Sequence, residues 1–482
     1  MATMTTPLQT FLSWAQENGV MSNIKVQKIP DKGWGFVSKG QAARDNSIVA
    51  YIPFHLLLNT TKVGKYAKEK APKLEETFQA LLKNGVSLTE RIVLICFLLY
   101  ERFGRSACGE EPSFWKPYVD ILPHTLHTPL FYDNTLRACL DGTSLKSAVD
   151  AKSNKLRREY NTLRPYFNQW SAQPSTTDNN VNDGHDIITF DHFIWGDGVF
   201  WSRVLSFGSR IASDSNLVGI DPDDYHLVPF LDFANHSLRP YARWELTNEG
   251  VELILTKSDS PEPILPDTEI CISYGDKPNS ELLFIHGFTL NDNPWSAISF
   301  PVPFYENDEF EEEKFIFMQY HGIKPLVSLT RKKGGAELTH ESTRAMWISV
   351  LKKEDGLKFT NVTNESNESN ESNNESQPVN LMIGDKIIRT LDELDNAINE
   401  PPLSQEIERR VINSILENVE HLLSHLKQTN EQVLKMMESG KNLRELEYIK
   451  IYREDEYKFL EYAVDDFTRK RESLMPDEYI ME

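Results

Sequence analysis

The amino-acid sequence predicts an α+β protein, and the order of its patterns along the chain carries that prediction. Short β-type segments occupy about residues 22–55 and 225–288, and a stretch of helical periodicity at about 56–190 separates them. After about residue 301 the pattern is helical. The expected architecture is a domain of short β-sheets interrupted by a helical insertion and followed by an all-α domain.

The first expected elements are one helix and three strands. Residues 7–18 carry apolar side chains at the i, i+3, i+4, i+7 spacing of an amphipathic helix. The segment IKVQKI alternates apolar and polar residues, and the glycines of DKGWGF mark a turn before FVSKG and SIVAYIP. We therefore expect helix, strand, turn, strand, strand.

The helical insertion is clearest in SLTERIVLICFLLYERFG. Thr89 or Ser87 can cap a buried helix there that ends at Gly104. Residues 172–186 are turn formers without apolar periodicity, which predicts an exposed loop.

The second half begins with two expected strands, VELILT and EICISY, and then turns helical. Ile387, Ile388, Leu391 and Leu394 share one helical face, and a longer apolar face begins at Ile407. The low-complexity run at 361–377 is too polar to bury, so we expect a disordered loop.

Charge and composition limit the classes of molecule that the protein is expected to bind and the compartment in which it is expected to lie. The 482 residues contain 51 Lys and Arg against 72 Asp and Glu, a net charge of −21, which argues against nucleic acid and anionic membranes and suits a basic protein partner. The longest apolar run, 92–100, is too short to cross a bilayer, and no leader pattern opens the chain. Four cysteines without a CxxC pair indicate a reducing compartment, so we expect a cytoplasmic or nuclear protein of undetermined oligomeric state.

Common catalytic signatures are missing from the sequence, including GxxxxGK[ST], HExxH, GxSxG and GxGxxG. Three clusters remain: DKGWGF at 31–36, LDFANHS at 231–237 and ISYGDKPNSELLFIHGF at 272–288. Each has a purely structural interpretation. Asn235 and His236 can tie a buried turn, and Tyr274 can be a core aromatic residue with its hydroxyl bonded.

Taken in order, the clusters resemble the SET-domain protein methyltransferases, in particular the subclass of the Rubisco large-subunit lysine methyltransferase. GWGF, the Ser-Arg pair at 202–203, NHS at 235–237, Tyr274 and NSELLFIHGF carry the resemblance. It implies a SET domain at 22–275, a flanking segment at 276–300 that completes the site, and a helical substrate-binding domain at 301–482.

The resemblance also implies S-adenosyl-L-methionine as cofactor and a role for each matching residue, with no metal. Tyr274 would be the catalytic residue. The residues that would bind the cofactor are Gly33, Trp34, Gly35, Arg203, Asn235, His236, Tyr274 and Phe288. Ser202, Asp232 and His286 would face the substrate lysine.

Three positions depart from the pattern of the family. His286 stands where a Tyr-Gly-Phe triplet usually begins, Lys32 replaces an expected acidic residue, and Phe207 stands where a second arginine is expected. A histidine can change its charge near neutral pH, so substrate choice or the number of methyl groups can differ here.

The resulting hypothesis is a protein-lysine N-methyltransferase that acts on a non-histone protein, most plausibly a ribosomal protein, because an acidic enzyme suits a basic substrate. Two alternatives stay open from the sequence. One is a non-catalytic SET-like protein-binding module, and the other is a protein-histidine methyltransferase.

Overall fold

The computed structural model describes residues 6–40, 46–170, 186–207, 225–256, 264–361, 379–438 and 443–474. Nearly all of the expected loops at 172–186 and 361–377 lies outside these described residues. The chain divides into two units. The first comprises 1–132, 149–277 and 284–287, and the second comprises 133–148, 278–283 and 288–482.

The strands are short, as the sequence indicates. They are β1 (Met21–Ser22), β2 (Ile24–Ile29), β3 (Gly33–Ser38), β4 (Ile48–Pro53), β5 (Val204–Ser206), β6 (Tyr225–Leu227), β7 (Ala242–Leu246), β8 (Gly250–Leu255), β9 (Ala297–Pro301), β10 (Leu326–Lys332), β11 (Gly335–Leu338), β12 (Lys358–Asn361), β13 (Val379–Ile383) and β14 (Lys386–Ile388).

The helices vary from one turn to ten. They are α1 (Pro7–Glu17), α2 (Thr60–Lys70), α3 (Pro72–Lys83), α4 (Glu90–Leu99), α5 (Arg105–Ala107), α6 (Lys116–Ile121), α7 (Asn134–Ala138), α8 (Ser144–Phe167), α9 (Phe190–Arg203), α10 (Asn279–Glu281), α11 (Glu311–Tyr320), α12 (His340–Val350), α13 (Leu391–Ile398), α14 (Leu403–Glu438) and α15 (Leu443–Ser473).

Antiparallel sheets form the β part of the first unit. One sheet has the order β1-β4-β8-β7, β2 pairs with β3, and β5 pairs with β6. The expected helix and three strands at the start of the chain are confirmed, and so is the strand at VELILT. Thr6 caps α1 through a capping box, and Pro7 fits the first turn because its missing N–H would have no helical partner there.

The insertion is built around α4, which packs against α9. Thr89, one of the two expected caps, accepts a hydrogen bond from the backbone N–H of Ile92. Residues 92–99 are all buried, which explains the continuous apolar run. The α-helix ends at Leu99, and one π-helical turn carries the chain on to Gly104.

The long helices α14 and α15 pack along one another in the second unit. The predicted apolar face of α14 is confirmed by its buried side chains, which are Ile407, Val411, Ile412, Ile415, Leu416, Val419, Leu423, Leu426 and Val433. Each fully buried side chain of this kind stabilises the packed state by about 1.5–3 kcal/mol.

The α+β class is confirmed, but the expectation that the second unit is all-α is wrong. Two three-stranded sheets, β11-β10-β9 and β12-β13-β14, lie within residues 297–388. The alternation of buried and exposed residues in β10 has period two, and Gly335 with φ +148° follows the turn into β11. Ile387 and Ile388 lie on β14, one exposed and one buried, instead of on one helical face.

Candidate active site

The backbone joins the first two sequence clusters through the strand-like segment 268–272. On one side the N–H of Ile270 donates to the carbonyl of Phe36 over 2.8 Å. On the other side the N–H of Ile272 donates to the carbonyl of Asn235 over 2.9 Å. The segment EICISY, expected as a strand, instead forms isolated bridges to β3 and to the NHS segment, and it places Tyr274 beside the NHS segment.

The Asn235 side chain lies where these segments meet. Its amide nitrogen donates to Glu269 Oε1 over 2.8 Å and to the carbonyl of Trp34 over 3.4 Å. Lys32 Nζ lies 2.6 Å from the other oxygen of Glu269. A Cβ at Gly35 would lie 2.8 Å from Asn235 Nδ2, so only glycine permits this approach.

Gly33 is the first residue of β3, directly after the turn that follows β2, and it has a left-handed conformation with φ +83°. No described atom lies within 4 Å of the position a Cβ would take there, so this side of the turn is open. Glycine relieves the backbone strain that another residue would have at this φ.

Tyr274 is fixed at both ends. Its backbone N–H donates to His236 Nδ1 over 3.0 Å, and its hydroxyl donates to the carbonyl of Ala234 over 2.8 Å. Burial raises the pKa of Tyr274, with nearby carboxylates adding to that shift, so the phenol is neutral at all working pH values. Its ring centroid lies 5.2 Å from that of His236 and 4.8 Å from that of His286.

His286 ends a π-helical turn, Leu282–His286. Burial, followed by the positive charges of Lys277, His236 and Arg203, lowers the pKa of His286 to about 3, while a hydrogen bond with the backbone of Ser202 opposes the shift. The sequence suggested a ring that changes charge near neutral pH, whereas the packed site keeps His286 neutral there.

Arg203 and Asp232 form a partly buried ion pair at the end of α9. Arg203 Nη1 donates to the carbonyl of Asp232 over 2.8 Å and lies 3.4 Å from its Oδ2. The Tyr118 hydroxyl donates to the same Oδ2 over 3.0 Å. Burial raises the pKa of Asp232, and its bonds to Arg203 and Tyr118 oppose that shift. The Asp232 carboxylate is bonded to protein groups, and only 5% of its side chain is exposed to solvent.

The Ser202 side chain is bonded to the backbone of its own helix. Its hydroxyl donates to the carbonyl of Gly198 one turn earlier on α9, over 2.7 Å. The backbone of Ser202 meets His286, so the Ser202 position and the His286 ring lie together.

Comparisons with known proteins agree with this geometry, although no protein-family model matches the sequence. The chain is 28% identical over 286 residues to the ribosomal lysine N-methyltransferase set10 of Schizosaccharomyces pombe, covering 59% of this chain and 44% of set10. It is 26% identical over 321 residues to the chloroplastic fructose-bisphosphate aldolase-lysine N-methyltransferase of Arabidopsis thaliana, covering 64% and 57%. The chain thus spans about half the length of these relatives.

Solved structures match over almost the whole chain. The SET domain of LSMT bound to lysine and AdoHcy aligns with a TM-score of 0.64 at 18% identity, covering 98% of this chain and 92% of that one. Rubisco LSMT bound to AdoMet aligns with a TM-score of 0.61 at 17% identity, covering 98% and 94%. This chain has the SET fold. The resemblance drawn from the three clusters is confirmed at the level of the fold.

The SET fold brings most of the predicted site residues together within the first unit. Phe288 belongs to the second unit. Phe207, where the resemblance leads one to expect an arginine, is fully buried and stacks on His226 with ring centroids 4.4 Å apart. Phe207 is therefore a core residue, and among the described residues Arg203 is the arginine that contacts Asp232.

Two residues of the SET site were missed by sequence reasoning. Tyr118 supports Asp232 from α6, and Glu269 receives the Asn235 amide. Tyr118 sits in the helical insertion without a local motif. Glu269 precedes the apolar run ICI, where an acidic residue in a buried strand was a usable signal.

Two further features concern only the described part of the chain. There, no group of three or more His, Cys, Asp or Glu side chains is placed to hold a metal ion. In that same part, none of the helices combines the length and the apolar character needed to span a membrane.

Proposed function

We propose that this protein is an S-adenosyl-L-methionine-dependent protein-lysine N-methyltransferase that acts on a non-histone protein. The observation that carries the proposal is the placement of Tyr274, whose backbone is bonded to His236 and whose hydroxyl is bonded to Ala234, next to the junction of the NHS and GWGF segments.

The first unit has features that fit the cofactor. Gly33, an exposed residue at the start of β3, leaves space beside the backbone, and Arg203 Nε is buried with no acceptor among the described residues. A guanidinium with an unused N–H matches a carboxylate such as that of the cofactor's amino-acid part. Asn235 and His236 would complete the set that holds S-adenosyl-L-methionine. When bound, this cofactor supplies an electrophilic methyl group on a positively charged sulfur.

The Tyr274 hydroxyl acts through position instead of proton transfer. Its proton is donated to the carbonyl of Ala234, so its oxygen lone pairs are available as acceptors. Weak C–H···O contacts and hydrogen bonds to an amine both use such lone pairs. The raised pKa of Tyr274 keeps the group neutral, so this geometry holds across the working pH range.

The same surroundings favour an uncharged lysine amine, which methyl transfer requires. Burial and the positive charges of Lys277 and Arg203 hold the pKa of His286 far below its usual range. A lysine side chain placed beside that ring would meet the same burial and charges, so its ammonium form would be disfavoured. Loss of the lysine proton to solvent then precedes transfer without a dedicated base.

For the substrate, we propose a basic ribosomal protein in the cytoplasm or nucleus. The net charge of −21 favours a basic partner. One relative, set10, is named as a ribosomal lysine N-methyltransferase.

The test is methyl transfer from radiolabelled S-adenosyl-L-methionine to undermethylated ribosomal proteins, with sequencing of the labelled band. We expect Tyr274→Phe to lower the rate about 100-fold, equivalent to about 2.7 kcal/mol of the barrier. Tyr160→Phe is the matched control, since Tyr160 is a buried tyrosine of the same unit whose hydroxyl donates to the carbonyl of Ile188 over 2.7 Å.

Each outcome decides one part of the proposal. Failure of the wild-type protein to bind S-adenosyl-L-methionine in calorimetry would support a non-catalytic binding module. Label on a histidine would identify a histidine methyltransferase. Cofactor binding without any labelled ribosomal band would overturn the ribosomal substrate and leave the reaction class in place.

A further inference from the structure

Tyr118 is a buried residue of the helical insertion that reaches the site. Its side chain is fully buried on α6, and its ring centroid lies 6.3 Å from that of Phe11 on α1. Phe11 in turn meets Phe233 edge to face at 5.4 Å. This packing leaves the Tyr118 hydroxyl one direction, toward Asp232 Oδ2, 3.0 Å away.

Asp232 connects Tyr118 to Arg203. Its Oδ2 is shared between the Tyr118 hydroxyl and Arg203 Nη1, and its backbone carbonyl accepts the shorter hydrogen bond from that same nitrogen, over 2.8 Å. A carboxylate buried to this degree needs hydrogen-bond donors to hold one orientation.

In the described part of the chain, Arg203 is held through Nη1. The hydrogen bonds described for its guanidinium all leave from Nη1 and end on Asp232, whereas Nε is buried without an acceptor in the described residues. Because the guanidinium is planar and rigid, fixing Nη1 against Asp232 also fixes the direction in which the remaining N–H groups point.

We infer that Tyr118 is a positioning residue for cofactor binding: it holds the Asp232 carboxylate, which in turn aims the unused N–H groups of Arg203 at the carboxylate of the cofactor. This inference rests on the proposed function. It gives the insertion helix α6 a part in ligand recognition, through a residue that does not itself touch the ligand.

The experiment compares two ligands that differ only in the group Arg203 would bind. The affinities of S-adenosyl-L-methionine and decarboxylated S-adenosylmethionine are measured by calorimetry on the full-length wild type and on Tyr118→Phe. The Phe variant keeps the ring packing and removes only the hydroxyl. Tyr66→Phe is the control, because the Tyr66 hydroxyl also donates to a buried carboxylate, Glu101 Oε1 at 2.7 Å, in the same insertion.

We expect Tyr118→Phe to weaken S-adenosyl-L-methionine binding about fivefold, through a hydrogen bond to a charged group, and to change binding of the decarboxylated ligand less than about twofold. In methyl transfer, KM for the cofactor should rise more than kcat falls. In the Arg203→Met background, Tyr118→Phe should have no further effect on affinity, because both changes act on one interaction. Tyr66→Phe should change neither affinity.

Equal weakening of both ligands would show a general structural role and overturn the inference, as would unchanged affinity for both. A wild-type protein that binds the two ligands equally would show that the carboxylate is not recognised, and the inference would fail while the proposed function stands. A wild-type protein that binds neither would instead remove the proposed function itself.

Discussion

Two buried triads in the first unit combine a tyrosine, a carboxylate and an arginine, yet they leave the arginine in different states. We call Tyr66, Glu101 and Arg105 the Tyr66 triad, and Tyr118, Asp232 and Arg203 the Tyr118 triad. In the Tyr66 triad every guanidinium nitrogen of Arg105 has an acceptor, with Glu101 bonded to both Nε and Nη2. The remaining acceptors are the Tyr66 hydroxyl, the Glu110 carboxylate and the carbonyls of Lys70 and Glu111.

In the Tyr118 triad, one N–H group of the arginine has no acceptor among the described residues. Among the described residues, the hydrogen bond of Arg203 leaves from Nη1, and its Nε is buried without an acceptor there. The two triads share their residue types, so the difference assigns Arg105 to the fold and leaves Arg203 with an N–H group for the proposed ligand.

The largest expected effects come from removing each arginine. Arg105→Met should lower the free energy of unfolding by about 3–5 kcal/mol, because Glu101, whose side chain has no exposed surface, loses its cation. Arg203→Met should cost less, about 1–2 kcal/mol, since it removes one described hydrogen bond and a longer, 3.4 Å ion pair, whereas all three guanidinium nitrogens of Arg105 are bonded. It should, however, weaken S-adenosyl-L-methionine binding at least about tenfold.

Urea unfolding and calorimetric titration of the two variants measure these effects side by side. Equal losses of stability combined with equal cofactor affinity would break the distinction between the triads.

A smaller effect concerns pH. Burial raises the pKa of Asp232 on folding, so its contribution to stability is fully present below the unfolded pKa of about 3.9 and is lost as the pH rises through the folded value. Asp232→Asn removes this titration. The stability of the Asn variant relative to wild type should therefore increase as the pH is raised from about 4.

Unfolding free energies of wild type and Asp232→Asn at several pH values between 4 and 8 provide the check. A difference in unfolding free energy that stays constant with pH, or that changes in the opposite direction, would contradict the raised pKa of Asp232.

The smallest effect is expected where a carboxylate has an exposed cation. Lys32 pairs with Glu269, but 45% of its side chain is exposed and the solvent screens the pair. Lys32→Ala should cost no more than about 1 kcal/mol of stability and weaken cofactor binding by less than about fivefold. Cofactor titrations at low and high salt measure this effect. A larger loss of affinity that does not depend on salt would show that the Lys32 pair behaves as a buried ion pair.

Local sequence was sufficient to pick out three clusters, and the fold brings residues of all three into contact. Gly33 has a positive φ, which agrees with the local turn signal, whereas the close approach of Gly35 to Asn235 is a contact between distant positions that only the fold reveals. The insertion helix and the apolar face of α14 were also predictable, because helical periodicity is a property of neighbouring residues.

The two small sheets at 297–388 were missed for a physical reason. Their strands are three to seven residues long, and the alternation in so few residues is easily read as part of a helical face. Antiparallel pairing made these segments strands. Gly335 and Gly384 lie where the chain reverses between β10 and β11 and between β13 and β14, and each reversal lets two short strands share hydrogen bonds.

Candidate site residues could thus be proposed from the sequence, while their protonation and orientation were decided by tertiary structure. Tyr118 and Asp232 are 114 positions apart, and Lys32 and Glu269 are 237 apart, so no local pattern links them. The neutrality of His286 likewise depends on burial and on charges from three other segments. Desolvation and hydrogen bonding act through space, so the protonation and orientation of a side chain are settled only when distant parts of the chain have packed around it.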